Sequence, residues 1–324
     1  MNTDLLHRLI ASPGVNSFGE VTSAPASHKE TLDRAVAQAM DSGGFKAQPS
    51  PLSHPLVLSE SMSRHHAGSL EWPALPKALG PHLLRQLEPL AHSLRIDLAF
   101  VPSGRRLSDF SVLAMDMDST VITIECIDEL AAFCGKKEEV AAITEATMRG
   151  EIKDFSESLL RRVAILGGIP ETAIEAVIQN SLRFSPGAQE LLQSSRAAGL
   201  QTVLVSGGFT PFASYVAQQL GFDHYRANTL GVESGRLTGT VLGEIVDGRI
   251  KQQTVEESCV LLGVNTDRAI VVGDGSNDLP MMSVAGLSVA YRAKPAVRAK
   301  AHCAIDFGRL DSILLGLCAP DMRR

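Results

Sequence analysis

Cysteine is scarce and unpatterned in this sequence. Its five residues, at positions 126, 134, 259, 303 and 318, form no CxxC pair, so neither a zinc ribbon nor a disulfide framework is indicated. The nine histidines show no HxH or HExxH spacing, and His65-His66 reads as a polar loop rather than a metal site. Basic residues are outnumbered, 30 Lys and Arg against 36 Asp and Glu, for a formal net charge of −6. That excess of acid argues against nucleic acid as the main partner, although a local basic pocket is compatible with it. No window reaches the ~18 unbroken apolar residues of a membrane span. The first twenty residues lack a basic start followed by an apolar stretch, so they do not read as a signal peptide. With Gly at 27 and Pro at 16, collagen-like and linker-rich readings fail. The expectation is a protein of the reducing cytoplasm with no membrane partner.

Apolar residues make up 44% of the chain and charged residues 20%, enough to bury a core. At roughly 100–200 residues per domain, 324 residues suggest two units. Residues 1–105 form the first, a small α/β module of unassigned role. Periodicity predicts helices at 29–41 (Leu32, Ala35, Val36, Ala39, Met40) and near 81–94 (Leu83, Leu84, Leu87, Leu90), then a strand over 98–101. The lone Trp72 reads as a core residue of this module, and SGRRLSD at 103–109 as a linker.

Residues 106–324 form the second unit. Apolar runs at 111–116, 201–206, 268–274 and 286–291 alternate with helical stretches, the pattern of a parallel sheet buried on both faces. The fold class is therefore α/β, a Rossmann-like parallel sheet. Between the first two strands, Ile127, Leu130, Ala131 and Cys134, then Val140, Ile143 and Thr147, recur at helical spacing. This insert, about 125–190, reads as a helical cap over the sheet. Glycines at 231, 235, 239, 243 and 248 mark a hairpin-rich excursion over 228–250. Cys126 and Cys134 fall on a predicted cap face and read as packing residues.

Three strand ends carry polar residues, and ligands of open α/β sheets bind at such ends. Asp116-Met117-Asp118-Ser119-Thr120 follows the first run. One carboxylate can attack an electrophile and the other can move a proton on the leaving oxygen. Their charge would repel a phosphate, so a divalent cation is needed. Alone, the pentapeptide also fits a solvated acidic turn. Gly273-Asp274-Gly275-Ser276-Asn277-Asp278 follows the third run and offers hard oxygen ligands in a close-turning loop. Ser206-Gly207-Gly208 follows the second, with Thr210 as a helix N-cap and Pro211 in the first turn, where backbone N–H groups and a hydroxyl would face an anion.

In this order the segments resemble the haloacid dehalogenase superfamily of aspartyl-phosphate phosphotransferases, and more narrowly its phosphoserine phosphatase subfamily. The narrower likeness rests on DMDSTVITIECIDELA (116–131), MRGEIKDFSESLLRRV (148–163), VSGGFT (205–210) and VGDGSNDLPMM (272–282). It covers roughly residues 111–312. Ser276 departs from the subfamily, which more often has Ala there, and leaves the acidic residues and Asn277 in place. The stretch at about 88–101 is similar to the module preceding the catalytic domain in bacterial members.

The resemblance implies Mg2+-dependent hydrolysis of O-phospho-L-serine to L-serine and phosphate, the last step of serine biosynthesis. It implies Asp116 as nucleophile, and Asp118 as acid for the leaving oxygen and then base for water. Mg2+ would be held by Asp116, the backbone carbonyl of Asp118, and Asp274, with Asp278 nearby. Ser206, Gly207 and Lys251 would bind phosphate, and Glu125 and Arg162 the amino and carboxylate groups of serine. Asn277 would line the site, and Met148 and Phe155 would be apolar walls from the cap. Read without the resemblance, Glu125 is a solvated carboxylate and Lys251 a surface residue. Arg162 alone has independent support. It shares a helix face with Phe155 and Leu159, so it needs an anionic partner, either a cap carboxylate or a substrate.

Rival readings use the same motifs. One is another phosphomonoesterase acting on a different small substrate, or a phosphotransferase that would pass the group to a second alcohol such as homoserine. An amino-acid-sensing phospho-acceptor would work through the N-terminal module, but a long-lived phospho-aspartate has no use for Asp118. Appended modules commonly act through interfaces, so residues 1–105 are expected to serve association, a homodimer being one form of it, or regulation.

Overall fold

The computed structural model describes residues 6–12, 14–15, 21–23, 28–42, 70–102, 104–149 and 151–317. His65 and His66, and the side chains of Trp72 and Met148, lie outside what is described.

The strands, in chain order, are β1 (Leu6–Ser12), β2 (Gly14–Val15), β3 (Val21–Ser23), β4 (Leu70–Pro76), β5 (Asp97–Pro102), β6 (Val112–Met115), β7 (Gln201–Phe209), β8 (His224–Glu233), β9 (Arg236–Leu242), β10 (Ala269–Gly273), β11 (Leu287–Tyr291) and β12 (Cys303–Ile305). The main sheet has the order β12-β11-β10-β6-β7-β8-β9 and is parallel throughout except for the antiparallel β8–β9 hairpin. This is the expected Rossmann-like α/β sheet.

Side chains alternate across a strand, and the two faces of this sheet accordingly fill separate cores. Leu113 and Met115 face one way with Leu204, Ile270 and Val272. Val112 and Ala114 face the other with Val203, Val205, Ala269 and Val271, packed on Ile250, Val255 and Cys259 of the helix Gly248–Leu261. β6 and β10 are buried at every residue, which is why they read as unbroken apolar runs.

The insert between β6 and β7 holds helices Cys126–Phe133, Lys137–Met148, Phe155–Ile165 and Thr172–Asn180. Leu130, Val140, Leu159, Val163 and Val177 join the first core. The 228–250 excursion is the β8–β9 hairpin followed by the start of a helix at Gly248. Thr210 is the first residue of the helix Thr210–Leu220 rather than its cap. Phe209 takes the cap position and makes no side-chain cap bond.

A three-stranded antiparallel sheet, β4-β1-β5, lies in the N-terminal region. Leu9 and Ala11 of β1 pack under helices Lys29–Ser42 and Gly80–Leu94, with Leu32, Val36, Leu83 and Leu87. Ile10 and Val101 point to the opposite face and join the core that contains Ile313, Leu315 and Leu317. The small sheet therefore rests on the C-terminal helix Ile313–Leu317. Arg105, in the expected linker, donates to the Gly286 carbonyl at 3.0 Å and lies over the Phe110 ring.

Asp97 fastens this contact. It is buried, and its carboxylate accepts from the backbone N–H groups of Asp306 (2.8 Å), Phe307 (3.1 Å) and Gly308 (2.6 Å). A Cβ on Gly308 would stand 2.8 Å from Asp97 Oδ2, so glycine is required for the approach. Burial pushes Asp97 up to about 6, against the pull of the three N–H groups. Asp97→Ala should cost about 2–4 kcal/mol in chemical denaturation, because it orphans buried donors. The sign of the pH dependence follows from the raised value. Folded Asp97 takes up its proton before the unfolded chain does, so wild-type stability relative to Asp97→Asn should rise as pH falls from above 6 towards 4. The gain should be about 3 kcal/mol at most. A flat difference across that window would contradict the burial of this charge.

Candidate active site

β10, β6 and β7 are adjacent, and their carboxyl ends carry Asp274, Asp116 and Ser206. The Asp116 N–H donates to the Val272 carbonyl at 2.9 Å, which ties the first acidic motif to the strand leading into the second.

Lys251 has no exposed surface. Its helix starts where Asp247 accepts from the Ile250 N–H at 2.9 Å, and one turn later Lys251 points inward. Its Nζ lies 2.7 Å from Asp116 Oδ1 and 2.7 Å from Asp278 Oδ1. The other oxygen of Asp278 accepts from the N–H groups of Asp274 (3.1 Å) and Gly275 (3.0 Å). Burial alone would lower the lysine, but Asp116 and Asp278 outweigh it and hold it raised, so it stays charged. The surface placement expected for Lys251 from its own context is thus corrected.

Asp116 is raised by burial and by Asp278, with Lys251 pulling it back. Asp274 is pushed up to about 7, by burial first and then by Asp278 and Glu125. Its Oδ1 receives only a long bond, 3.4 Å, from the buried Thr120 hydroxyl. Asp116, Asp274 and Asp278 can each present one oxygen within 4.8 Å of the others. Three carboxylates crowd around the Lys251 ammonium, with Lys294 adding a weaker pull on Asp274, and the raised values of Asp116 and Asp274 show that negative charge in this desolvated site is under-compensated. Oxygen donors of this kind and this charge deficit fit a hard divalent cation.

The Asp118 side chain stands apart from that cluster. Its Oδ1 accepts from the Cys126 thiol at 3.0 Å, and a Cβ on Gly208 would lie 2.9 Å from its Oδ2. It therefore faces the Ser206–Gly208 turn. Burial and then Glu125 push it up to about 7, so near neutrality it can both give and take a proton.

Ser206 is fully buried, and its Oγ accepts from the Gly208 N–H at 2.8 Å, which leaves the hydroxyl hydrogen free to donate. The adjoining helix begins uncapped by any side chain. Phe155 reaches down from the cap, and its Cζ would be 2.9 Å from a Cβ on Gly207. Arg162 is half-buried, as its helical position predicts, and donates from Nε to the Ser158 carbonyl at 3.3 Å. Among the described residues no carboxylate forms an ion pair with it. Glu125 is exposed and accepts from the Ser119 hydroxyl at 2.7 Å. Asn277 is half-buried in the loop beside Gly275.

Sequence reasoning gave no role to Ser119 and Asp128 and only a packing role to Cys126. Cys126, read as packing, also donates to Asp118. Ser119 adopts φ +56°, a left-handed turn that a serine rarely takes, and it aims the hydroxyl at Glu125. Asp128 Oδ1 is buried without a hydrogen-bond partner among the described residues, in the field of Arg162. The nearness of Asp128 to Arg162 joins two different helices, Cys126–Phe133 and Phe155–Ile165, and no local period signals it.

Residues 113–283 match the haloacid dehalogenase-like hydrolase family. A phosphoserine phosphatase of Albidiferax ferrireducens is 54% identical over 213 residues, 64% of this chain and 90% of that protein. The crystal structure of a probable phosphoserine phosphatase from Vibrio cholerae, unliganded, has a TM-score of 0.74 at 30% identity and covers 98% of this chain and 88% of that one. A phosphoserine phosphatase structure described as a phospho-aspartyl intermediate analogue has a TM-score of 0.60 at 35% identity, covering 64% of this chain and 98% of that one.

Lys251→Met should leave Asp116 and Asp278 buried without their counter-charge. In metal-free buffer the loss should be about 3–5 kcal/mol by denaturant titration. Wild-type stability in this variant would mean that the lysine is not the buried counter-ion.

Proposed function

This chain belongs to the haloacid dehalogenase-like hydrolases, and we infer from that membership and its site that it hydrolyses O-phospho-L-serine to L-serine and phosphate. The reading makes it a Mg2+-dependent phosphatase acting through an aspartyl-phosphate, at the last step of serine biosynthesis. The observation that carries it is the division of labour between two carboxylates of one turn. Asp116 is clamped by Lys251, and Asp118 is held apart by Cys126 at a value near neutrality.

Asp116 Oδ1 is engaged by Lys251 and by the Met117 N–H at 2.8 Å, which favours Oδ2 as the attacking atom. As Asp116 bonds to phosphorus, the bond from phosphorus to the serine oxygen breaks, and the Asp118 carboxyl gives that oxygen its proton. Asp118, now a carboxylate, takes a proton from water, whose oxygen attacks phosphorus and frees Asp116. Lys251, the Ser206 hydroxyl and the Gly207 backbone balance charge on the phosphoryl oxygens. When bound, Mg2+ held by Asp116, the Asp118 carbonyl and Asp274 would screen the carboxylates from the phosphoryl group.

Arg162 and Glu125 are assigned to the carboxylate and amino group of the substrate, and Asn277, Phe155 and Met148 to its surroundings. Support for Arg162 comes from its half-burial without an ion-pair partner among the described residues. The chemistry is assigned to residues 106–324, and residues 1–105 to joining two copies of the chain. A cytoplasmic setting agrees with the four described cysteines being free. Among the described residues no helix is long and apolar enough to cross a membrane.

Pure protein with Mg2+ should release phosphate from O-phospho-L-serine and lose that activity in a chelator. Release of serine without phosphate when a second alcohol is present would point to a phosphotransferase instead. Arg162→Ala should cost about 2–4 kcal/mol in kcat/KM for phosphoserine, roughly 30- to 1000-fold. Phosphoethanolamine, which has no carboxylate, should lose far less. Equal losses would make Arg162 a structural residue.

A further inference from the structure

Away from the acidic site, a cleft of about 930 Å³ opens between the N-terminal region and the main sheet. The helix Gly80–Leu94 and β5 form one wall, and the segment 292–307 forms the other. The volume is that of a small-molecule site. Apolar side chains, among them Leu84, Ile96 and Phe307, alternate there with charged ones.

The charge in the cleft is unbalanced. Its three acids are already engaged. Asp97 accepts from the 306–308 backbone, while Glu88 and Asp306 both pair with Arg298, at 2.6 and 2.9 Å. Arg85 on the helix wall and Arg292 on the sheet wall have no carboxylate partner among the described residues. In a chain of net charge −6, these two exposed guanidiniums on the two walls, that of Arg292 lying 5.3 Å over the Tyr291 ring, form a local positive site suited to planar carboxylate or phosphate groups.

The backbone makes the same point. Arg292 has φ +47°, a conformation that favours glycine. Arg95, at the C-cap of the helix wall, has φ +54°, and its guanidinium lies 5.2 Å over the Phe307 ring. Of the four described non-glycine residues with positive φ, these two line the cleft and Ser119 lies in the candidate active site. The Arg95 geometry is the ordinary left-handed end of a helix, so it is Arg292, outside any helix cap, that carries the comparison with Ser119.

The segment behind Arg292 reaches the acidic site. The Arg292 N–H donates to the Ile305 carbonyl at 2.7 Å, and two residues on, the Lys294 N–H donates to the Asp274 carbonyl at 3.2 Å. One short turn thus borders the cleft on one side and holds the Asp274 loop on the other.

We propose that this cleft is a regulatory site for a small organic anion with carboxylate or phosphate groups, gripped between Arg85 and Arg292. Its occupancy changes turnover through the 292–294 turn and Asp274. The binding half of the proposal is independent of the substrate assigned above.

The test is calorimetric titration of the full chain, with free Mg2+ held constant, using succinate as the carboxylate probe and 1,2-ethylenediphosphonate, which has no carboxylate, as the phosphate-class probe. At least one should bind at one site per chain, and the one that binds identifies the class. Arg85→Gln and Arg292→Gln should each weaken it at least tenfold, with unchanged melting and with kcat in the absence of probe within twofold of wild type. In wild type the probe should change kcat at saturating substrate, and both variants should lose that response. Failure of both probes to bind, equal binding in the variants, or an effect that substrate fully outcompetes would overturn the proposal.

Discussion

Lys251 carries its charge with no solvent contact, 2.7 Å from each of two carboxylates. A buried ammonium is costly unless opposite charges surround it, and the same holds for each carboxylate in turn. Asp116 and Asp278 make the lysine tolerable, and the lysine makes them tolerable. The residual excess of negative charge, with Asp274 added, is what a divalent cation and a phosphoryl group would share. Geometry and chemistry at this site both follow from that incomplete compensation.

The rest of the fold serves to hold those charges in place. A sheet buried on both faces fixes the ends of β6, β7 and β10 relative to one another. The Gly248–Leu261 helix packs Ile250 and Val255 beneath that sheet, which leaves Lys251 the one direction that reaches Asp116. From above, the cap lowers Phe155 onto the Gly207 turn and brings Arg162 under cover. Asp97 locks the N-terminal sheet to the 306–308 turn, near the segment that runs back to Asp274.

Legibility in the sequence followed the range of the interactions involved. β6 and β10 were readable because they are apolar at every position, and the acidic motifs because they abut those runs. Arg162 was readable because a helical period of one element sufficed. Lys251 was not, since its burial depends on a distant strand meeting one helical turn, and only the family resemblance pointed to it. β4 went unseen because Pro73 and Pro76 interrupt its pattern, and β12 because three residues carry no period. The second role of Cys126 was hidden for a related reason. A small buried residue on an apolar stripe looks the same whether or not its thiol meets a carboxylate.

The most direct test of this charge arrangement is to identify the residue that carries phosphorus during turnover. Acid-quenched enzyme, reduced with borohydride and sequenced by mass spectrometry, should show homoserine in place of aspartate at position 116 and nowhere else. Modification at any other residue, or none under conditions of steady turnover, would contradict the assignment of Asp116 as the nucleophile clamped by Lys251.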